Sequence, residues 1–192
     1  MMKRKKFMPV FLILLLIIIL IGCAEEKMPA GLNDEEMRFE GILVGETSYA
    51  DLLALDMEPL ADIDLSALGN LSEEAMSGHF LQYAGFEVAA QEKVQSINIY
   101  EDYSGSLYGD LHMGDNLDAL LSKLPQKPEE YVMKATDETP LQTDKSSAAQ
   151  IVFYDENDVL QSKIVILYSA EGRTMQFEFD AAEKLKFVRI NN

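Results

Sequence analysis

Tryptophan is absent from this 192-residue chain, histidine occurs twice and cysteine once. A lone cysteine excludes an intramolecular disulfide and a thiolate zinc cage, so the folded part must rely on its apolar core. The histidines, His79 and His112, fit no ligand spacing and read as ordinary strand-end residues. Positive charge is scarce: 16 Lys and Arg stand against 33 acids. All the acids follow residue 23 and four of the bases precede it, so the remainder carries 12 − 33 = −21. That charge excludes nucleic acid as a partner, since neutralising phosphates needs clustered Lys and Arg. It also keeps the domain off anionic lipid headgroups and acts as a solubilising, self-repelling surface. A serine elbow is missing, because Ser77-Gly78-His79 lacks the Gly-x-Ser-x-Gly frame, and no pair of carboxylates stands out. No catalytic residue, metal ligand or cofactor is therefore predicted, and the chain reads as a non-enzyme.

What is present begins at the N-terminus. MMKRKK is followed by the apolar run Phe7–Gly22, interrupted only by Pro9. A charged start, an apolar middle and a small exit residue are the parts of a secretory signal. The uninterrupted stretch from Val10 to Ile21 is short for a permanent span, which takes about 20 residues. Leu20-Ile21-Gly22-Cys23 closes the run and resembles the lipobox of bacterial lipoproteins. The resemblance implies cleavage between Gly22 and Cys23, diacylglyceryl and acyl (palmitate-type) modification of the Cys23 thiol, and a lipid-anchored place on the extracytoplasmic face of the cell membrane. Two acyl chains are what stable anchoring takes, at about 0.8 kcal/mol per buried methylene.

Residues 24–38, AEEKMPAGLNDEEMR, are polar with no apolar period. They read as a tether which, if flexible, spans roughly 20 Å. Beyond it a phrase occurs twice: GILVGETSYADLLAL from Gly41 and GDLHMGDNLDALLSKL from Gly109. Each copy offers a turn glycine (Gly45, Gly114), an acid (Glu46, Asp115) and an N-cap (Thr47, Asn116) before a short helix. Leu117, Leu120, Leu121 and Leu124 give the second helix one apolar face, and Pro125 stops it. With acids at the turns and no lysine beside them, phosphate binding there is excluded.

Strand signals follow each helix. In the first half these are 79–83, 86–90 and 94–100, with a short helix at 72–77; EDYSGSLYG (101–109) reads as a linker. In the second half 149–154, 159–168, 173–179 and 184–190 are separated by turn-rich DEND, SAEG and DAAE. Met175, Phe177 and Phe179 alternate with polar residues, and Leu185 and Phe187 are expected to share a face opposite Lys184 and Lys186. The predicted fold is α+β: tandem helix-then-antiparallel-meander units with the helices packed on one face. Boundaries are a signal peptide at 1–22, an acylated tether at 23–38, and repeats at 39–105 and 106–192.

His112-Met113-Gly114-Asp115 through Leu121, and more loosely Val44 through Leu53, resemble the Gly-led helix phrase of tandem-repeat β-lactamase inhibitor proteins and small outer-membrane-assembly lipoproteins. The resemblance implies non-catalytic binding of a protein or envelope ligand through the sheet or its loops. The wet sides of the late strands supply the candidate surface: Gln161, Lys163, Thr174, Gln176, Glu178, Lys184 and Lys186, with a Glu178–Lys186 cross-strand pair. The alternative is an envelope hydrolase with a carboxylate or calcium-assisted site. For calcium, Asp62, Asp64, Ser66, Asn70 and Glu73 match loop positions, but Ala67 stands where the turn requires glycine. An acidic surface loop is the reading preferred there.

Overall fold

The computed structural model describes residues 32–65, 78–135 and 148–192. Alternation sets its layers. In Thr174–Asp180 the side chains of Met175, Phe177 and Phe179 are buried and those between them are not. The same alternation recurs in Phe86–Ala90, so strands with one apolar face assemble side by side. Nine strands among the described residues form one sheet: β1 (Ala61–Asp64), β2 (His79–Tyr83), β3 (Phe86–Ala90), β4 (Val94–Tyr100), β5 (Glu129–Lys134), β6 (Ala148–Tyr154), β7 (Leu160–Tyr168), β8 (Thr174–Asp180) and β9 (Leu185–Asn191). Their order is β1-β2-β3-β4-β9-β8-β7-β6-β5, antiparallel except for the parallel pair β5–β6.

The expected α+β class is thereby corrected. Among the described residues helix comes in short elements, α1 (Tyr49–Leu53), α2 (Leu117–Leu121) and a 3-10 turn at Tyr108–Asp110, so the fold is largely β. The helices are five residues each because little sequence separates their caps from the breaking signals at Ser122–Pro125 and Asp56–Pro59. They do not face separate meanders: β4 and β9 hydrogen-bond to each other, and both halves share one sheet.

The repeated phrase has a structural counterpart at its turns. Gly45 (φ +81°) donates its N–H to the carbonyl of Val94 at 2.8 Å, and Gly114 (φ +84°) donates to Leu185 at 2.9 Å. Val94 and Leu185 in turn donate to Thr47 and Asp115. Each glycine thus hooks a helix start onto the first residue of a central strand. Since β4 and β9 are antiparallel, the hooks sit at opposite ends of that pair. Ser48, rather than Thr47, caps α1, its hydroxyl accepting from Asp51 N–H. Thr47 Oγ1 instead accepts from Leu43 N–H.

One face of the sheet is covered by the segments around the hooks. Leu32, Met37, Phe39, Ile42, Val44 and Leu52 from the first, with Tyr103, Leu111, Leu117 and Leu120 from the second, join the buried strand residues in one cluster. Leu32 and Met37 were expected in the tether; the structure places both in this core. Leu32 N–H donates to the Tyr168 carbonyl at 3.0 Å, which ties Leu32 to the end of β7. β1 and β5 carry no strand expectation from sequence, while the expected 72–77 helix lies outside the described residues. No helix among the described residues is long and apolar enough to cross a membrane.

Candidate functional site

Beneath the central strands, on the covered face, lies a cavity of about 330 Å³. That is the lower end of the size range of small-ligand sites, about 300–1,000 Å³. Its floor is Ile99 of β4, Met175 of β8, and Val188 and Ile190 of β9. The floor therefore spans the seam where the two halves of the chain pair. Phe39, Leu107 and Tyr108 form its walls.

Its rim is polar and held by local geometry. Asn33 and Glu36 form a reciprocal capping box: Glu36 N–H donates to Asn33 Oδ1 at 3.1 Å, and Asn33 N–H donates to Glu36 Oε2 at 2.9 Å. Phe39 and Ile42 exchange two backbone hydrogen bonds around Glu40 (φ +47°) and Gly41 (φ +81°). Two positive φ values in a two-residue loop make the tight hairpin turn that favours glycine at the second position. This turn presents the Glu40 carboxylate, which accepts a hydrogen bond from the Tyr103 hydroxyl. Burial, and then that hydrogen bond, push the Tyr103 phenol well above its usual range. Arg38 donates to the Gly41 carbonyl at 2.9 Å and lies 3.8 Å from Glu35. Gly109 (φ +61°) lies under Lys123: a Cβ there would stand 2.9 Å from Lys123 Cδ. Tyr108 packs edge-on to Phe177, 6.4 Å between centroids; burial first, then the nearby Glu36 charge, raise its pKa.

A second cluster lies near the β1 edge. Tyr49 Oη donates to Asp62 Oδ2 at 2.8 Å, and His79 Nδ1 lies 3.2 Å from Asp62 Oδ1. The Tyr49 and His79 rings stack at 3.9 Å. Burial and the Asp62 carboxylate push the Tyr49 phenol up to about 12. His79, expected to be an ordinary strand-end residue, is thus held by a carboxylate. Of the calcium-loop positions, Asp62 and Asp64 lie in β1, and Ser66, Asn70 and Glu73 lie outside the described residues. No group of three or more His, Cys, Asp or Glu placed to hold a metal occurs among the described residues.

The residues expected to form one binding surface are divided by the sheet. Thr174, Gln176 and Glu178 share the uncovered face with Ser96, Asn98, Tyr100, Phe187 and Arg189. Lys163 pairs across to Phe179, on the opposite face, and its ammonium lies 2.6 Å from Glu183. Gln161 sits at a register shift in the β6–β7 hairpin and reaches Asp155. Lys184 precedes β9 in a bridge with Asn116. Lys186 pairs with Glu101 at 2.9 Å rather than with Glu178, which faces Phe187. A bulge between Glu178 and Phe179 causes this: it inserts Lys186 and turns Phe187 to the uncovered face, away from Leu185. There Phe187 meets Tyr100 (5.6 Å) and Arg189 (5.3 Å). Cys23 and Gly22 lie outside the described residues.

The cavity residues went unpredicted because 24–38 reads as tether and 101–109 as linker. Asn33-x-x-Glu36 ahead of Met37, and Glu40-Gly41 between apolar neighbours, are the signals that could have found them. No protein-family model, curated protein or solved structure matches the chain.

Proposed function

We propose that this protein is a lipid-anchored, extracytoplasmic lipoprotein whose folded domain binds a small envelope ligand without turning it over. The address rests on Leu20-Ile21-Gly22-Cys23 behind a charged and then apolar start. The binding role rests on one observation: the cavity has an apolar floor built from β4, β8 and β9 under a rim of oriented polar groups. An apolar recess with a few convergent polar groups is what retains and orients a small ligand. Of the rim residues, Glu35, Glu36, Arg38 and Glu40 follow the proposed anchor, Cys23, closely in sequence.

Native mass spectrometry of the chain released from its own membranes tests this reading. A bound small molecule is expected, and Ile190→Trp, which fills the floor, should remove it. A ligand-free chain whose cavity takes nothing from an envelope metabolite library would contradict it.

The alternative, an envelope hydrolase, is favoured by the Asp62–His79 pair, in which the carboxylate fixes the ring and leaves Nε2 to act as a base. Hydrolysis of an envelope ester, peptide or glycoside that disappears in Asp62→Asn would establish it instead.

A further inference from the structure

Resting on the reading of the cavity as a ligand site, we infer that its ligand is a small zwitterion with an apolar body, an apolar α-amino acid or a short apolar peptide. The rim carries both signs of charge in different states of engagement. Arg38 donates to the Gly41 carbonyl and lies 3.8 Å from Glu35. Lys123 is exposed, lines the cavity, and has no ion-pair partner among the described residues. Its ammonium is therefore open to a ligand carboxylate.

Glu36 and Glu40 offer the complementary end. The capping box uses Oε2 of Glu36, and Tyr103 uses Oε1 of Glu40. A carboxylate has about four acceptor positions on its two oxygens, so each retains capacity for a ligand ammonium. Asn33 and Tyr103 fix both carboxylates before any ligand arrives, which lowers the ordering cost of binding. The floor of the same cavity is aliphatic and thioether: Ile99, Met175, Val188 and Ile190. A fatty acid would answer Lys123 and leave the glutamates without a cation, and an alkylamine would leave Lys123 unanswered. The zwitterion answers both ends.

The test uses the full chain, labelled with ¹³C-methyl methionine and held in lipid nanodiscs, with Met175 as the floor reporter. The probes are L-leucine, its two halves 4-methylpentanoate and 3-methylbutylamine, and glycine. Leucine should shift the Met175 methyl and bind roughly tenfold or more tighter than either half, since each half lacks one charged hydrogen bond. Lys123→Met should erase the advantage of leucine over 3-methylbutylamine, and Glu36→Gln should reduce its advantage over 4-methylpentanoate. Either half, or glycine, binding as tightly as leucine would overturn the zwitterion assignment while leaving the cavity a binding site. If none of the four probes moves Met175 and the Ile190→Trp comparison above also finds no ligand, both readings fall together.

Discussion

Arg173 donates its Nε–H to the Val44 carbonyl at 2.8 Å, joining the β7–β8 turn to a segment 129 residues earlier. The rest of its guanidinium reaches Asp34 and, at 3.0 Å, Glu46. The Arg173 side chain is 5% exposed, whereas those of Asp34 and Glu46 are 44% and 57% exposed. Solvent screens those two ion pairs, which contribute little. The charged hydrogen bond to a buried carbonyl is the larger effect, about 1.5–3 kcal/mol. Arg173→Met should therefore destabilise by about that amount in urea unfolding. Arg173→Lys should not recover it, because one ammonium cannot reproduce the planar fork. Equal stability of the lysine variant would show that only charge matters here.

The glycine hooks predict a graded pair. An alanine Cβ at Gly114 meets nothing within 4 Å, so Gly114→Ala meets only the left-handed backbone penalty of roughly 1–2 kcal/mol. At Gly45 the same Cβ would lie 2.6 Å from Asn192 Oδ1, so Gly45→Ala must also displace the C-terminal side chain. The Gly45 variant should melt lower. Equal melting would mean that Asn192 yields without cost.

Phe177 is fully buried, and Phe177→Ala should cost about 3–5 kcal/mol. Glu178→Ala, on the uncovered face opposite Phe187, should change melting by less than about 0.5 kcal/mol. A neutral Phe177→Ala would invalidate the register of β8.

Alkaline pH should expose the Tyr49–Asp62 contact. The folded pKa of Tyr49 lies near 12, above its ordinary value of 10.0, so folding favours the protonated phenol. This contribution is fully present below pH 10 and is lost as pH rises towards 12. Tyr49→Phe, which cannot ionise, should weaken the fall in stability over that window. An unchanged slope would mean that Tyr49 titrates alike in both states.

Much of the sheet was legible because one-sided strands alternate: 79–83, 86–90 and 94–100 coincide with β2, β3 and β4. The glycine hooks were legible for a similar reason, since positive φ leaves a local signature in sequence. β5 was hidden because Glu129 and Glu130 precede an exposed Val132, leaving no buried face to read. The face of Phe187 was hidden because a bulge shifts the phase by one residue without marking the sequence. The joining of both halves through β4 and β9 is a long-range pairing that no local pattern encodes. The cavity was illegible for the same reason: its floor exists only once those strands meet.

Intact mass analysis of the N-terminal peptide from membrane-isolated protein tests the lipoprotein account most directly. The account predicts a mature chain that begins at Cys23 and carries a diacylglyceryl thioether, with Cys23→Ser released from the membrane or retained only with its signal uncleaved. A wild-type chain that keeps residues 1–22, or begins elsewhere with an unmodified Cys23, would contradict it.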